Sequence, residues 1–106
     1  MNEQKAREVV KARSEGRCEV CWRAPATDMH HRKNRSQGGE WAPENLLHLC
    51  HEHHMWITVN PKRAREQGWT VASHEDPATT PVWVAGHEFV WLTPDGTYES
   101  KDGELF

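Results

Sequence analysis

This chain has little that would place it in a membrane, in a secreted disulfide scaffold or among strongly basic proteins. No apolar run approaches the roughly 18 residues that span a bilayer, and no signal-peptide pattern opens the sequence. Three cysteines among 106 residues are too few, and odd in number, for a disulfide framework. A net charge of −3 does not announce a nucleic-acid binder. Only 36% of residues are hydrophobic and mean hydropathy is −0.91. That is a thin core for one domain, and a structural metal is a common remedy, because its binding energy is also folding energy. There are no repeats and no low-complexity tract. Reduced cysteines in this pattern imply a cytoplasmic setting with no membrane partner.

What is present is concentrated. All three cysteines and six of the eight histidines lie between Cys18 and His54. Cys18 and Cys21 have the two-residue spacing that lets two thiolates reach one ion from a tight turn, and Cys50 and His53 repeat it about thirty residues later. Tetrahedral zinc accepts three thiolates and an imidazole. A Cys18–Cys21 disulfide would close a very short loop and leave one cysteine over, so the spacing favours structural Zn²⁺ on Cys18, Cys21, Cys50 and His53.

The other histidines point to a second site. If 49–59 is helical, Cys50 and His53 share a face and His54 lies about 100° further round. His54 then needs a different partner, and His30-His31 offers one. Adjacent strand residues project to opposite sides, so one of this pair can ligate a metal while the other stays free as a base. His51 is the rival to His54. Charge is also uneven. Residues 1–37 carry nine Lys/Arg and five Asp/Glu, whereas 38–106 carry four and eleven. A locally basic face on an acidic protein can still bind phosphates.

In order, the sequence predicts a helix over 3–15 with Asn2 as N-cap, Ala6, Val9, Val10 and Arg13 on one stripe, and Gly16 as its stop. A knuckle follows over 17–25, with Trp22 expected over the zinc site. A strand is expected at 26–31, then a polar loop from Arg32 to Gly39, then a strand at 46–49 with His48 facing outward. Asn60-Pro61 opens a further helix that ends before Gly68. The runs at 69–71, 81–84 and 89–92, with a turn at 93–97, suggest a small β appendage. Trp69, Trp83 and Trp91 are expected to pack together or against the zinc lobe. The class is α+β. The expected division is a core with its N-terminal helix and zinc site at 1–60 and a helix plus β appendage at 61–106, within one domain. His74 and His87 read as isolated surface histidines.

Taken together, Cys18/Cys21, His30-His31, Gly38-Gly39, Glu44-Asn45-Leu46-Leu47 and Leu49-Cys50-His51-Glu52-His53-His54 resemble the HNH, or ββα-metal, endonuclease family. The resemblance covers Cys18 to about Trp56. It departs from the family pattern at His53, where a fourth cysteine is usual, and at His30, where many members carry Asp. It implies an enzyme that hydrolyses DNA phosphodiester bonds with low sequence specificity. His30 and His54 would hold a catalytic divalent metal (Mg²⁺, Mn²⁺, Ni²⁺ or Zn²⁺). His31 would be the general base, and Asn45 would orient it through its side-chain oxygen. Arg32 and Arg35, in the loop beyond the base, would contact DNA phosphate. The small stand-alone members occur in bacteriophages and bacteria, which implies a phage terminase or packaging partner and a cytoplasmic location in a bacterial or infected host cell. The rival reading is a zinc-stabilised nucleic-acid-binding module without catalysis, which would need only the zinc set.

Overall fold

The computed structural model describes residues 1–100. Asn2 caps helix α1 (Glu3–Ser14) by accepting from the Lys5 N–H at 2.8 Å. The helix ends one residue earlier than Gly16 suggested, because Glu15 already adopts the left-handed conformation, φ 55°. Residues 17–25 turn back on themselves as the knuckle, with the Trp22 N–H on the Cys18 carbonyl and the Cys18 N–H on the Ala24 carbonyl.

Strands β1 (Asp28–His31) and β2 (Leu46–Leu49) form an antiparallel pair, with Asp28 opposite Leu49 and His31 opposite Leu46. Helix α2 (His51–Val59) follows after a single residue, and α3 (Pro61–Glu66) after one more. A second antiparallel sheet comprises β3 (Val82–Val84), β4 (Glu88–Leu92) and β5 (Tyr98–Ser100) in that order. The fold is therefore α+β, with three α-helices and two small antiparallel sheets among the described residues. No helix among the described residues is long and apolar enough to cross a membrane.

A two-stranded sheet is marginal alone, and here both of its faces are covered. Met29 and Leu46 join Ala6 and Val10 of α1, together with Trp41, in one apolar cluster. Leu47 and Leu49 join Ile57 of α2 and Val82, Val90 and Leu92 of the second sheet in the larger one. Burial on both faces corrects the expectation for His48. It is only 6% exposed, and its Nδ1 lies 2.7 Å from Ser14 Oγ. The segment 69–71 is not a strand. Trp69 donates its indole N–H to the Trp83 carbonyl at 2.8 Å and meets Trp56 ring to ring at 5.6 Å.

Charged groups hold these parts together. Arg13 ends the apolar stripe of α1 and is buried. Its Nε and Nη2 donate to both oxygens of Glu19, at 2.7 and 2.9 Å, and its remaining donors reach the Pro43 and Leu46 carbonyls. Glu19 also accepts from the His48 N–H and the Tyr98 hydroxyl. Arg32 is the second case. It was expected on DNA, but it is 1% exposed and its guanidinium donates to the carbonyls of Gly68, Glu44, Pro77 and Thr80. Burial lowers its pKa to about 10, which still leaves it cationic at neutral pH. Four carbonyl acceptors replace most of its hydration, so it is an interior brace, and at 1% exposure it does not face a phosphate.

Removing one partner of a buried ion pair leaves the other charge uncompensated, at a cost of about 3–5 kcal/mol. Arg13→Ala should lower stability by that amount in urea unfolding. Lys11→Ala, on the exposed side of the same helix, should change it by less than about 0.5 kcal/mol. Equal midpoints for the two variants would contradict the structural role assigned to Arg13.

Candidate functional site

The knuckle and the start of α2 meet at one point. Cys18, Cys21, Cys50 and His53 place their ligand atoms within 4.8 Å of one another, and all three cysteines are free thiols. In tetrahedral zinc with bonds near 2.3 Å, sulfurs sit about 3.8 Å apart, so the four groups could hold a metal ion such as zinc. Cys50 has two tasks. It is the N-cap of α2, with its sulfur accepting from the His53 N–H, and that sulfur lies 3.1 Å from His53 Nδ1. Burial pushes the Cys18 thiol up to about 11. Thiols must lose their protons to bind metal, so capture of an ion here releases protons.

The second group of histidines is distributed by strand alternation. Asp28 and His30 project to one face of β1, and Met29 and His31 to the other. On the first face, His30 stands 5.3 Å from His54 between ring centroids, nearly edge-on at 65°. Two imidazoles sharing one ion at about 2.1 Å per bond have centroids roughly 4.5–6 Å apart, so the separation suits a shared ligand. Each ring has one nitrogen occupied. His30 Nε2 is 2.7 Å from the Trp69 carbonyl, and His54 Nδ1 is 2.8 Å from Asp28 Oδ2. An acceptor on one ring nitrogen fixes the tautomer and leaves the lone pair on the other, which is the usual support of a ligating histidine.

Burial holds the His30 pKa down, at about 4, so the ring stays neutral at physiological pH and needs no deprotonation to ligate. Asp28 was not singled out in the sequence. Its carboxylate also lies 3.0 Å from Nδ1 of His51, which is 73% exposed. The hydrogen bond from His54 comes first, then those from Thr27 and His51, and together they pull the Asp28 pKa down to about 2. His51 thus shares the carboxylate that orients His54.

On the opposite face, His31 meets Trp41 at 4.4 Å and 80°. Its Nε2 is closed off from solvent with no hydrogen-bond partner, so a base working from this ring would act through Nδ1. Burial lowers the His31 pKa, and the nearby charges of Arg35 and Arg7 lower it further. Asn45 does not reach the imidazole. Its Oδ1 accepts from the Lys33 N–H, and its Nδ2 donates to the Lys33 and Glu40 carbonyls. It therefore fixes the loop after His31 rather than the ring itself. The same loop needs its glycines. Gly38 has φ 89°, and a Cβ on Gly39 would fall 1.8 Å from the Lys33 carbonyl oxygen. Arg35 is exposed beside this loop.

Structural zinc contributes on the order of 10 kcal/mol or more, comparable with the whole stability of a small domain. Serine can replace Cys50 as an N-cap, so Cys50→Ser tests the metal rather than the helix start. Cys50→Ser, or verified removal of zinc by a chelator, should abolish the cooperative melting transition followed by circular dichroism. An unchanged curve would refute a structural ion on this cluster. No family model, no curated protein and no solved structure matches the chain.

Proposed function

We propose that the protein is a metal-dependent HNH endonuclease that hydrolyses DNA phosphodiester bonds, nicking or cutting with low sequence specificity. The observation that carries this reading is the His30–His54 pair. The two rings lie at ligand spacing, each is tethered through one nitrogen, and a third imidazole, His31, is the next residue on the strand. A structural zinc module has no use for that arrangement. The succession of hairpin, one-residue link and helix over 28–59 also agrees with a ββα-metal unit, with Cys18, Cys21, Cys50 and His53 as its zinc set.

In this reading His30 and His54 hold a divalent ion (Mg²⁺, Mn²⁺, Ni²⁺ or Zn²⁺). When bound, that ion supplies Lewis-acid stabilisation of the phosphate and of the departing 3′ oxygen. His31 removes a proton from water through Nδ1. The oxygen attacks phosphorus, the P–O3′ bond breaks, the departing 3′ oxygen takes a proton from solvent water, and the strand ends are 5′-phosphate and 3′-hydroxyl. Asn45 acts at one remove by fixing Lys33, two residues along the chain. Asp28 holds His54 in the tautomer that leaves Nε2 for the metal. DNA is the substrate. A phage terminase or other packaging protein is the partner that the family resemblance implies, in the cytoplasm of a bacterial or infected host cell.

Plasmid nicking by purified protein, with and without added divalent metal, tests the proposal. His31→Ala should lose about 10²–10⁴-fold in rate, the usual contribution of a positioned base. A base whose pKa is lowered stays unprotonated further into acid. The acid limb of the rate profile should therefore lie below pH 6.5, the ordinary imidazole value. Equal nicking by wild type and His31→Ala would remove His31 from the mechanism. A folded protein that binds DNA and cleaves under none of these conditions would favour the zinc-stabilised binding module.

A further inference from the structure

Arg7 is remote from the metal-ligand segment in sequence, yet it comes to the same place as His31. Its guanidinium carbon lies 4.8 Å from the centre of the Trp41 ring, and that of Arg35 lies 5.9 Å from the same centre. His31 meets that ring as well. Helix α1, the loop after β1 and the segment entering β2 thus each supply one member of a single cluster. Two like charges drawn to one aromatic ring repel each other, and an anion between or beside them relieves that repulsion.

The donors remain available. Arg7 pairs through Nε with Glu3 at 2.9 Å, but both side chains are about half exposed, at 40% and 53%. Such a pair contributes little and leaves the Nη groups to a stronger acceptor. Arg35 makes no ion pair with a carboxylate among the described residues. The contrast with Arg32, which is 1% exposed and donates to four interior carbonyls, decides which arginines can face a substrate.

We propose that Arg7 and Arg35, aimed by their shared contact with Trp41, clamp the phosphate backbone of a nucleic-acid strand beside His31. Guanidinium forks match phosphate oxygens in bidentate geometry, and the aromatic platform limits the rotamers each arginine would lose on binding. Trp41 is the support of the clamp rather than a surface for base stacking. The inference rests on the reading of His31 as the base of a nuclease site, and it adds a contact from the N-terminal helix that the family resemblance does not supply.

The test uses His31→Ala protein in Mg²⁺, so that DNA is bound without being cut. Anisotropy of a fluorescein-labelled duplex is read across a salt series. Arg7→Ala and Arg35→Ala should each weaken binding about tenfold and reduce the slope of log affinity against log salt by about one. Arg7→Lys should keep the slope and recover part of the affinity. Trp41→Leu should weaken binding with the slope unchanged. Lys62→Ala, on α3, should match the parent. Arg7→Ala with parental affinity and slope would overturn the proposal, and so would a parent that binds no duplex. Plasmid nicking by the wild type separates the two readings. A protein that binds through Arg7 but never nicks keeps the clamp and loses the nuclease. A protein that nicks equally well with Arg7→Ala keeps the nuclease and loses the clamp.

Discussion

The fold depends on one carboxylate. Glu19 stands between the two cysteines of the knuckle, fully buried, and gathers Arg13 from α1, the backbone of β2 and Tyr98 from β5. A buried carboxylate is tolerable only when its acceptor sites are filled, and this one is filled from three elements far apart in sequence. The knuckle that presents Cys18 and Cys21 is therefore held by polar contacts as well as by any ion. With only 36% hydrophobic residues, the chain uses buried charge where a richer sequence would use more core.

Arg32 repeats the device on the other side of the hairpin. It gathers carbonyls from residues 44, 68, 77 and 80 around the strand that carries His30 and His31. The two histidines are thus placed by a rigid frame. Asn45 ties the loop that follows, and Trp69 supplies the carbonyl that fixes His30. Burial and neighbouring arginines lower the pKa of both His30 and His31.

The zinc set was legible because ligand spacing is local. Cys18/Cys21 and Cys50/His53 each lie within a single turn, and a turn fixes its own geometry. The alternation of His30 and His31 was legible for the same reason. Arg32 was misread because a basic residue in a polar loop is ordinarily solvated, and its four carbonyl partners are up to 48 residues away. Glu19 and Asp28 carried no local signal. One looked like filler between cysteines and the other like the polar start of a strand. His48 was misplaced because alternation predicts one open face, and α1 covers that face. Arg13 was the exception. Its position on an apolar stripe was a clue to burial, and only its partner was missing.

The contact between Glu19 and Tyr98 joins residues 79 positions apart. Every residue assigned to metal in this chain precedes residue 55, whereas the Trp69 carbonyl and the Tyr98 hydroxyl come later. A ribosome therefore delivers these cysteines and histidines before the Trp69 carbonyl that tethers His30 and the Tyr98 hydroxyl that completes the partners of Glu19. At about 5–20 residues per second, the early half of the chain exists for a few seconds as thiols and imidazoles without their frame. The knuckle that carries Cys18 and Cys21 gains the last partner of Glu19 only when Tyr98 of the final strand has been made.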